Sequence, residues 1–323
     1  MISQTIRQND ANMRLDRLLR QRLPLKPLSE IYRLIRQGSV KVNGKKIKEN
    51  HRLQPGEVLE VQVPPSEWAG QTTSPDESIA NLINTDFFKR KFHVLYEDEH
   101  LLVCNKPDGL VVHPGTGHLK NDTLIDLAKS YLLKKQNGEY RDEPVLVHRI
   151  DRDTSGVILL AKNKSVLRSI HEAFRGHEVE KRYLAICHGK PAENSGTIEA
   201  DLSRTHDLND GMKMRVDEDG LHARTTYSVV ESHGGISKLI VEIDTGRTHQ
   251  IRVHLAHIGC PIVGDVRYGD PQKDQKIFAQ TGIARRLYLH ARMISIPDPH
   301  GGKMLTIRAP EPPEFFDLMR LHP

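Results

Sequence analysis

Two apolar runs, Val145-Leu146-Val147 and Val157-Ile158-Leu159-Leu160-Ala161, are separated by the nine residues His148-Arg149-Ile150-Asp151-Arg152-Asp153-Thr154-Ser155-Gly156. Both runs read as buried strands bounded by turn signals. The chain must therefore build a sheet with a dense group of charges at its rim, where packing alone gives no reason for them. If the strand conformation continues into the loop, side chains alternate faces. Arg149 and Asp151 then point one way, His148 and Ile150 the other. A carboxylate set between arginines at a sheet rim is a candidate nucleophile or base, because the cations hold it ionised. The competing reading is a solvated, ion-paired turn.

A chain of 323 residues suggests about two domains. Hydrophobic residues are 37% and charged residues 28%, as in a globular protein. No apolar run approaches the roughly 20 residues of a bilayer span, and residues 1–7 lack a secretory hydrophobic region. Both point to the cytoplasm and away from membranes. Cys104, Cys187 and Cys260 are isolated among apolar residues, which argues for buried hydrophobes rather than a disulfide framework or metal site. His249, His254 and His257 are the tightest histidine cluster, but no metal-binding pattern accompanies them and no metal is expected. Nor is there a phosphate loop or a serine-nucleophile elbow. Gly115-Thr116-Gly117 is too short to indicate a nucleotide site, and no cofactor is expected.

The charge is unevenly placed. Residues 1–70 hold 13 Lys+Arg against 7 Asp+Glu, whereas the rest hold 34 against 35. A small basic module joined to a near-neutral larger one suggests a tether for a polyanion. Within it, Leu15, Leu18, Leu19 and Leu23 have helical spacing. Leu28, Ile31, Leu34 and Ile35 form a second stripe that stops at Gly38. Arg33 and Arg36 share a face of that second helix. Val40 and Val42 begin a strand, Asn43-Gly44 turns it, and Val58–Val63 alternates after Pro55-Gly56. Arg14-Leu15-Asp16, Gly38 to Gly44 and Pro55-Gly56-Glu57 resemble an S4 RNA-binding domain over about residues 13–64. The resemblance implies RNA contact by Arg33, Arg36, Lys41, Lys45, Lys46 and Lys48.

The chain divides on this reading into an S4-like domain at 1–64, a polar linker at 65–91 with a short helix near Ile79–Ile83, and a larger domain at 92–323. In the larger part, strands are expected at His93–Tyr96, Leu101–Cys104, Lys181–Ile186, Thr225–Glu231, Lys238–Ile243, Leu287–His290 and Met304–Arg308. Helices are expected from about Thr123 to Gln136, capped by Asp122 and stopped by Gly138, at about Ser165–Arg175, and from near Thr248. Hairpins and mixed pairing dominate over βαβ repeats, so the class is α+β.

The nine-residue loop resembles the signature of the RluA-type pseudouridine synthases, His-Arg-Leu-Asp followed by two variable residues and Thr-Ser-Gly, with Ile150 in the place of Leu. The likeness extends over roughly residues 92–312. It implies a pseudouridine synthase fold: a long mixed, mostly antiparallel sheet with flanking helices and a central cleft, preceded here by a small α/β S4 domain. It also implies an isomerase that detaches uracil at N1 and reattaches it through C5, with Asp151 as nucleophile. Attack at C6 of the base or at C1′ of the sugar stays open. Arg252, in Thr245 to His254, resembles the basic partner of the aspartate. Tyr183, in Glu180 to Ala185, resembles the tyrosine that stacks on the uracil. Arg149 is implied to fill the space left by the extruded nucleotide or to meet its phosphate. Arg247 is a phosphate candidate, Leu289 a pocket-wall residue, and Lys106 matches a first motif with a structural or phosphate role. The branch with an S4 domain implies RNA as partner, ribosomal large-subunit RNA first and tRNA as the alternative, with a non-catalytic RNA-binding assembly factor as the rival class. No obligate protein partner is expected, and the chain is read as a monomer.

Overall fold

The computed structural model describes the chain except residues 1, 7–9, 24–25, 27, 65–66, 69–81, 114–122, 137–142, 208–210 and 322–323. The chain forms two compact units, Met1–Asp76 and Glu77–Pro323.

In the first unit, helices α1 (Leu15–Arg22) and α2 (Leu28–Gln37) cover a four-stranded sheet of β1 (Ile2–Thr5), β2 (Val40–Val42), β3 (Lys45–Lys46) and β4 (Val58–Val61), in the order β1-β4-β2-β3. The expected leucine stripes are the buried faces: Leu15, Leu18, Leu19, Leu23, Ile31, Leu34 and Ile35 pack on Val40, Val42, Leu59 and Val61. Each such aliphatic side chain, taken out of water, contributes about 1.5–3 kcal/mol. Gly38 stops α2 with φ of +79°, and the amides of Gly38 and Ser39 bond the carbonyls of Ile35 and Leu34. Any side chain there would also collide with Lys46. The strand β1, which the sequence did not suggest, pairs antiparallel with β4.

The second unit begins inside the segment read as linker. Leu82 and helix α3 (Asp86–Lys91), capped by Thr85, bring Leu82, Phe88 and then Phe92 into a core with Leu102, Cys104 and Leu124. Trp68, from the other end of that segment, packs in the first unit. Residues 79–81, like the expected cap Asp122, the stop Gly138 and Gly115-Thr116-Gly117, lie outside the described residues.

A ten-stranded sheet forms the frame of this unit. Its main path runs β10 (Ser195–Glu199), β13 (Arg224–His233), β14 (Ile236–Ile243), β9 (Glu180–His188), β15 (Leu289–Pro297), β8 (Ser155–Ala161), β6 (Leu101–Lys106), β5 (Val94–Glu97). Beside it, β7 (Val145–Leu146) pairs with β8 and β16 (Met304–Arg308) with β15. Only the β15–β8 contact is parallel among these pairings. A separate hairpin is made by β11 (Leu202–Asp207) and β12 (Gly211–Val216).

Helices pack on the sheet. On one side α4 (Leu124–Lys135) covers Leu102, Cys104, Ile158 and Leu160; on the other α5 (Lys164–Arg175) covers Val103, Val157 and Leu159. The alternating residues of β8 thus serve two cores, which is why the run reads as continuously apolar. Thr123, whose amide and hydroxyl both bond the Asp126 carboxylate, starts α4. Further along lie α6 (Gln250–His257), α7 (Pro271–Thr281) and α8 (Pro313–Leu321). The three cysteines are buried and free.

Candidate active site

Residues 147–154 join β7 to β8 as a loop that folds back at the centre of the sheet. Three anchors fix it. Thr154 N–H bonds the Asp151 carbonyl, closing a turn. Ser155 Oγ lies 2.9 Å from His290 Nδ1 and accepts from Arg286 at 2.7 Å. Gly156 has φ of +115°, and a Cβ there would sit 2.2 Å from the Ala291 carbonyl oxygen. Only glycine allows β8 to approach β15 so closely.

Lys106 adds a further tie, and its place fits the structural one of its two expected roles rather than a phosphate or substrate contact. It is fully buried, and its ammonium donates to the carbonyls of Pro107, Leu110 and Arg152 at 2.9, 2.8 and 2.6 Å. Burial pushes its pKa down to about 7, while the three carbonyls together match the three N–H donors of an ammonium. Lys106 thus joins the end of β6 to the Asp151 loop.

Strict alternation does not continue into the loop. His148 lies toward α5, where its Nε2 accepts from Leu159 N–H and its ring packs 5.9 Å from Phe174. Ile150 joins the opposite core beside α4. The chain leaves strand geometry after Leu146, so period two ends there. Burial, and then the Lys181 charge, pushes His148 down to about 4 and keeps it neutral.

Asp151, Arg149, Tyr183, Arg247, Arg252 and Leu289 line one cavity of about 80 Å³. They arrive from the loop, β9, the β14–α6 turn, α6 and the start of β15. Arg252 donates to Asp151 Oδ2 at 3.1 Å. It also makes two bonds to Asp265, Nε to Oδ2 at 2.8 Å and Nη2 to Oδ1 at 2.7 Å. Asp265 is completely buried, and its Oδ1 also accepts the amides of Arg267 and Tyr268. Burial works against the Arg252 charge, but the Asp265 bonds and the charges of both aspartates outweigh it, and the pKa is raised. Burial also opposes ionised Asp265, yet Arg252 holds its pKa below the usual carboxylate value. Arg252 is therefore a fixed cation with one N–H aimed at Asp151. The Tyr183 hydroxyl is pushed up by burial and then by the Asp151 charge, so it stays protonated.

Arg149 is exposed and makes no bond to a described residue, whereas Arg247 is exposed with its Nε on the His222 carbonyl at 3.0 Å. Gln250 shapes that turn: its Oε1 accepts from Thr245 and the Arg247 amide, and its Nε2 donates to Arg224 O and Thr225 Oγ1.

Asp265 and two further groups escaped the sequence reading of this site. Tyr268 lies 5.1 Å under the Arg252 guanidinium, and its hydroxyl accepts the Met214 amide and meets His249 Nδ1 at 2.8 Å. His249, at φ of +56°, places Nε2 3.8 Å from Asp151 Oδ2. Burial lowers its pKa, against the opposing Asp151 charge. In the sequence, nothing in the stretch Gly264 to Gly269, which holds Asp265 and Tyr268, links it to α6. His254 has both nitrogens engaged, by Thr225 and the Ala200 carbonyl. Among the described residues, the grouping that could hold a metal is Glu99, His100 and His300, which do not line this cavity.

In the first unit, Arg33, Arg36, Lys45, Lys46 and Lys48 are exposed and Lys41 is half-buried. Arg33 pairs with Glu30 at 3.3 Å; the other five form no ion pair among the described residues.

The profile described as RNA pseudouridylate synthase matches residues 100–257, and that of the S4 domain matches residues 13–59. The chain belongs to the RNA pseudouridylate synthase family, and it is a pseudouridine synthase with an N-terminal S4 RNA-binding domain. Ribosomal large subunit pseudouridine synthase C of Salmonella typhimurium (strain LT2) is 37% identical over 307 residues, 94% of this chain and 90% of that protein. The protein of the same name from Escherichia coli (strain K12) is 36% identical over the same coverage. Among solved structures, human RNA pseudouridylate synthase domain containing 4 superposes with a TM-score of 0.59 at 27% identity, covering 76% of this chain and 96% of that one. The expected α+β fold with its mixed, mostly antiparallel sheet is the fold observed.

Proposed function

We propose that this chain converts specific uridines of large-subunit ribosomal RNA to pseudouridine, with Asp151 as the nucleophile. The observation that carries the reading is the half-buried Asp151 carboxylate, 3.1 Å from a guanidinium that a buried aspartate fixes from behind. Addition to C6 and displacement at C1′ both require that carboxylate to be ionised and to face an extruded nucleoside. The N1–C1′ bond breaks and a C5–C1′ bond forms; the C5 proton leaves and N1 gains one, so no oxidant or cofactor enters.

On this reading Tyr183 offers its ring to the uracil face, Leu289 forms the wall opposite, and Arg252 keeps Asp151 charged and oriented. Arg149, exposed beside the nucleophile and without an ion pair among the described residues, occupies the gap left in the RNA or holds the flanking phosphate. Arg247 meets a phosphate at the cavity mouth. The exposed lysines and arginines of the first unit give affinity and register through the backbone, with little sequence discrimination. The names of the bacterial relatives support ribosomal RNA as the substrate. We take the protein to act as a monomer in the cytoplasm; no described helix is long and apolar enough to cross a membrane. Mapping pseudouridines in total RNA from cells with and without the gene tests the substrate. Loss of sites in large-subunit RNA is expected, and loss confined to tRNA would overturn that assignment.

A further inference from the structure

A second cavity of the second unit lies beside the one at Asp151 and does not contain that residue. It measures about 630 Å³ and shares Arg252 as a wall with the 80 Å³ cavity at the nucleophile. Arg152 and Asp153, the two residues after Asp151, line it as well. Its volume lies within the range of about 300–1,000 Å³ that holds small ligands.

The lining sorts into committed and uncommitted groups. Arg286 is committed: it donates to Ser155 and pairs with Asp108 and Glu314 at 3.4 and 3.5 Å, so it is a fixed wall. Arg252 is held by Asp151 and Asp265. Arg285 is exposed, lies 5.8 Å over the Phe278 ring and forms no ion pair among the described residues. Arg152 is mostly exposed and, among the described residues, its side chain pairs with its neighbour Asp153 alone. Such a surface pair contributes about 0–1 kcal/mol and exchanges readily for a phosphate. Gln275 adds an exposed amide with one donor face and one acceptor face. Val266 is an aliphatic side chain left 91% exposed on the cavity rim, and Leu287 and Phe278 supply buried apolar surface.

A cavity with apolar surface, an amide and two available guanidiniums fits a ligand that is flat and apolar on its faces, polar at its edge and anionic at one end. We propose that it receives a nucleotide adjacent in sequence to the target uridine, with the base against Val266 and within reach of Gln275, and a phosphate between Arg152 and Arg285. This rests on the reading of the Asp151 cavity as the target site, because the shared Arg252 wall is what makes the two occupants neighbours on one strand. The consequence is that sequence context is sensed beside the nucleophile, while the S4 unit supplies affinity.

The test uses full-length protein and an RNA stem-loop carrying a uridine that the wild type modifies. Each neighbour of that uridine is made abasic in turn. The wild type is expected to lose on the order of tenfold in kcat/KM, mostly through KM, for one of the two neighbours, about the size of one net hydrogen bond with its apolar contact. Val266→Ala/Gln275→Ala, both at exposed positions and with an unchanged thermal midpoint, is expected to lose about as much on intact RNA and nothing further on the abasic RNA. A wild type indifferent to both neighbours, or a variant with the full dependence on the base, overturns the inference. A 4-thiouridine at the same neighbour is expected to crosslink at Val266 or Gln275 without any turnover. Crosslinks solely elsewhere overturn the inference independently. Absence of pseudouridine with the wild type on every RNA would instead overturn the proposed function.

Discussion

Replacing Asp265 by Asn tests whether the cation beside Asp151 is positioned from behind. The buried Oδ1 accepts three donors, Arg252 Nη2 and the amides of Arg267 and Tyr268, while Oδ2 accepts Arg252 Nε at 2.8 Å. An Asn side chain keeps its oxygen toward the three donors and turns its NH₂ against the Nε–H. One charge-assisted bond becomes a donor facing a donor, and the buried guanidinium keeps only one of its two compensating carboxylates. Breaking a buried pair in this way costs about 3–5 kcal/mol. For a unit of this size, about 2–4 °C per kcal/mol lowers Tm by roughly 6–20 °C. Freed from its clamp, Arg252 moves relative to Asp151, and a misplacement near 1 Å slows the single-turnover step about 10²-fold. RNA affinity, set mainly by phosphate contacts, should not change.

The pH dependence has a definite sign. Asp265 has a lowered pKa when folded, so its contribution is present above the unfolded value near 3.8 and is lost as pH falls below it. The wild type should therefore lose more stability than Asp265→Asn between about pH 4 and pH 2. Thermal melts across that range and single-turnover pseudouridine assays at a temperature where both proteins are folded provide the check. A folded Asp265→Asn protein with the wild-type Tm and rate would refute the reasoning.

Lys106→Met leaves one buried and two part-buried carbonyls without their donor and should destabilise the second unit by about 1–3 kcal/mol, read from the denaturant midpoint; an unchanged midpoint would show the tie to be dispensable. Gly156→Ala forces a Cβ to 2.2 Å from the Ala291 oxygen at a φ that disfavours alanine, so poor folding or a loss above about 1–3 kcal/mol is expected, and a wild-type melting curve would contradict the packing argument. Replacing Lys41, Lys45 and Lys48 by Gln should weaken binding to all RNAs alike and flatten the plot of log affinity against log salt by about 0.7–0.9 for each phosphate left without its cation; an unaltered slope would remove those lysines from the interface.

The parts of this molecule that were legible in its sequence share a property: their meaning is carried by neighbouring residues. The loop His148 to Gly156 pointed to a candidate nucleophile because the charges, the Thr-Ser-Gly ending and both flanking strands are contiguous. Arg252, Tyr183 and Leu289 each sit in short stretches with their own pattern, and they meet Asp151 in one cavity. The leucine stripes of α1 and α2 became the core of the first unit for the same reason. Asp265 and Tyr268 were not legible, because their significance lies in bonds to Arg252 and His249, which are on another element. Lys106 was half legible: a lysine before proline carries no sign that it will be buried against carbonyls. Helix α7 was missed because only Asp274, Ile277 and Phe278 are buried along it, too few for a helical stripe. In α8, by contrast, Phe315, Leu318 and Met319 do have helical spacing, and that signal was available. Strand β1 is four residues with alternate burial, below the length at which alternation stands out.

The proposed chemistry rests on one carboxylate, and the most direct measurement removes its charge while keeping its shape. Asp151→Asn should fold, bind large-subunit ribosomal RNA as the wild type does, and form no pseudouridine in a single-turnover assay. Pseudouridine formed at the wild-type rate by that variant would contradict the assignment of Asp151 as the nucleophile.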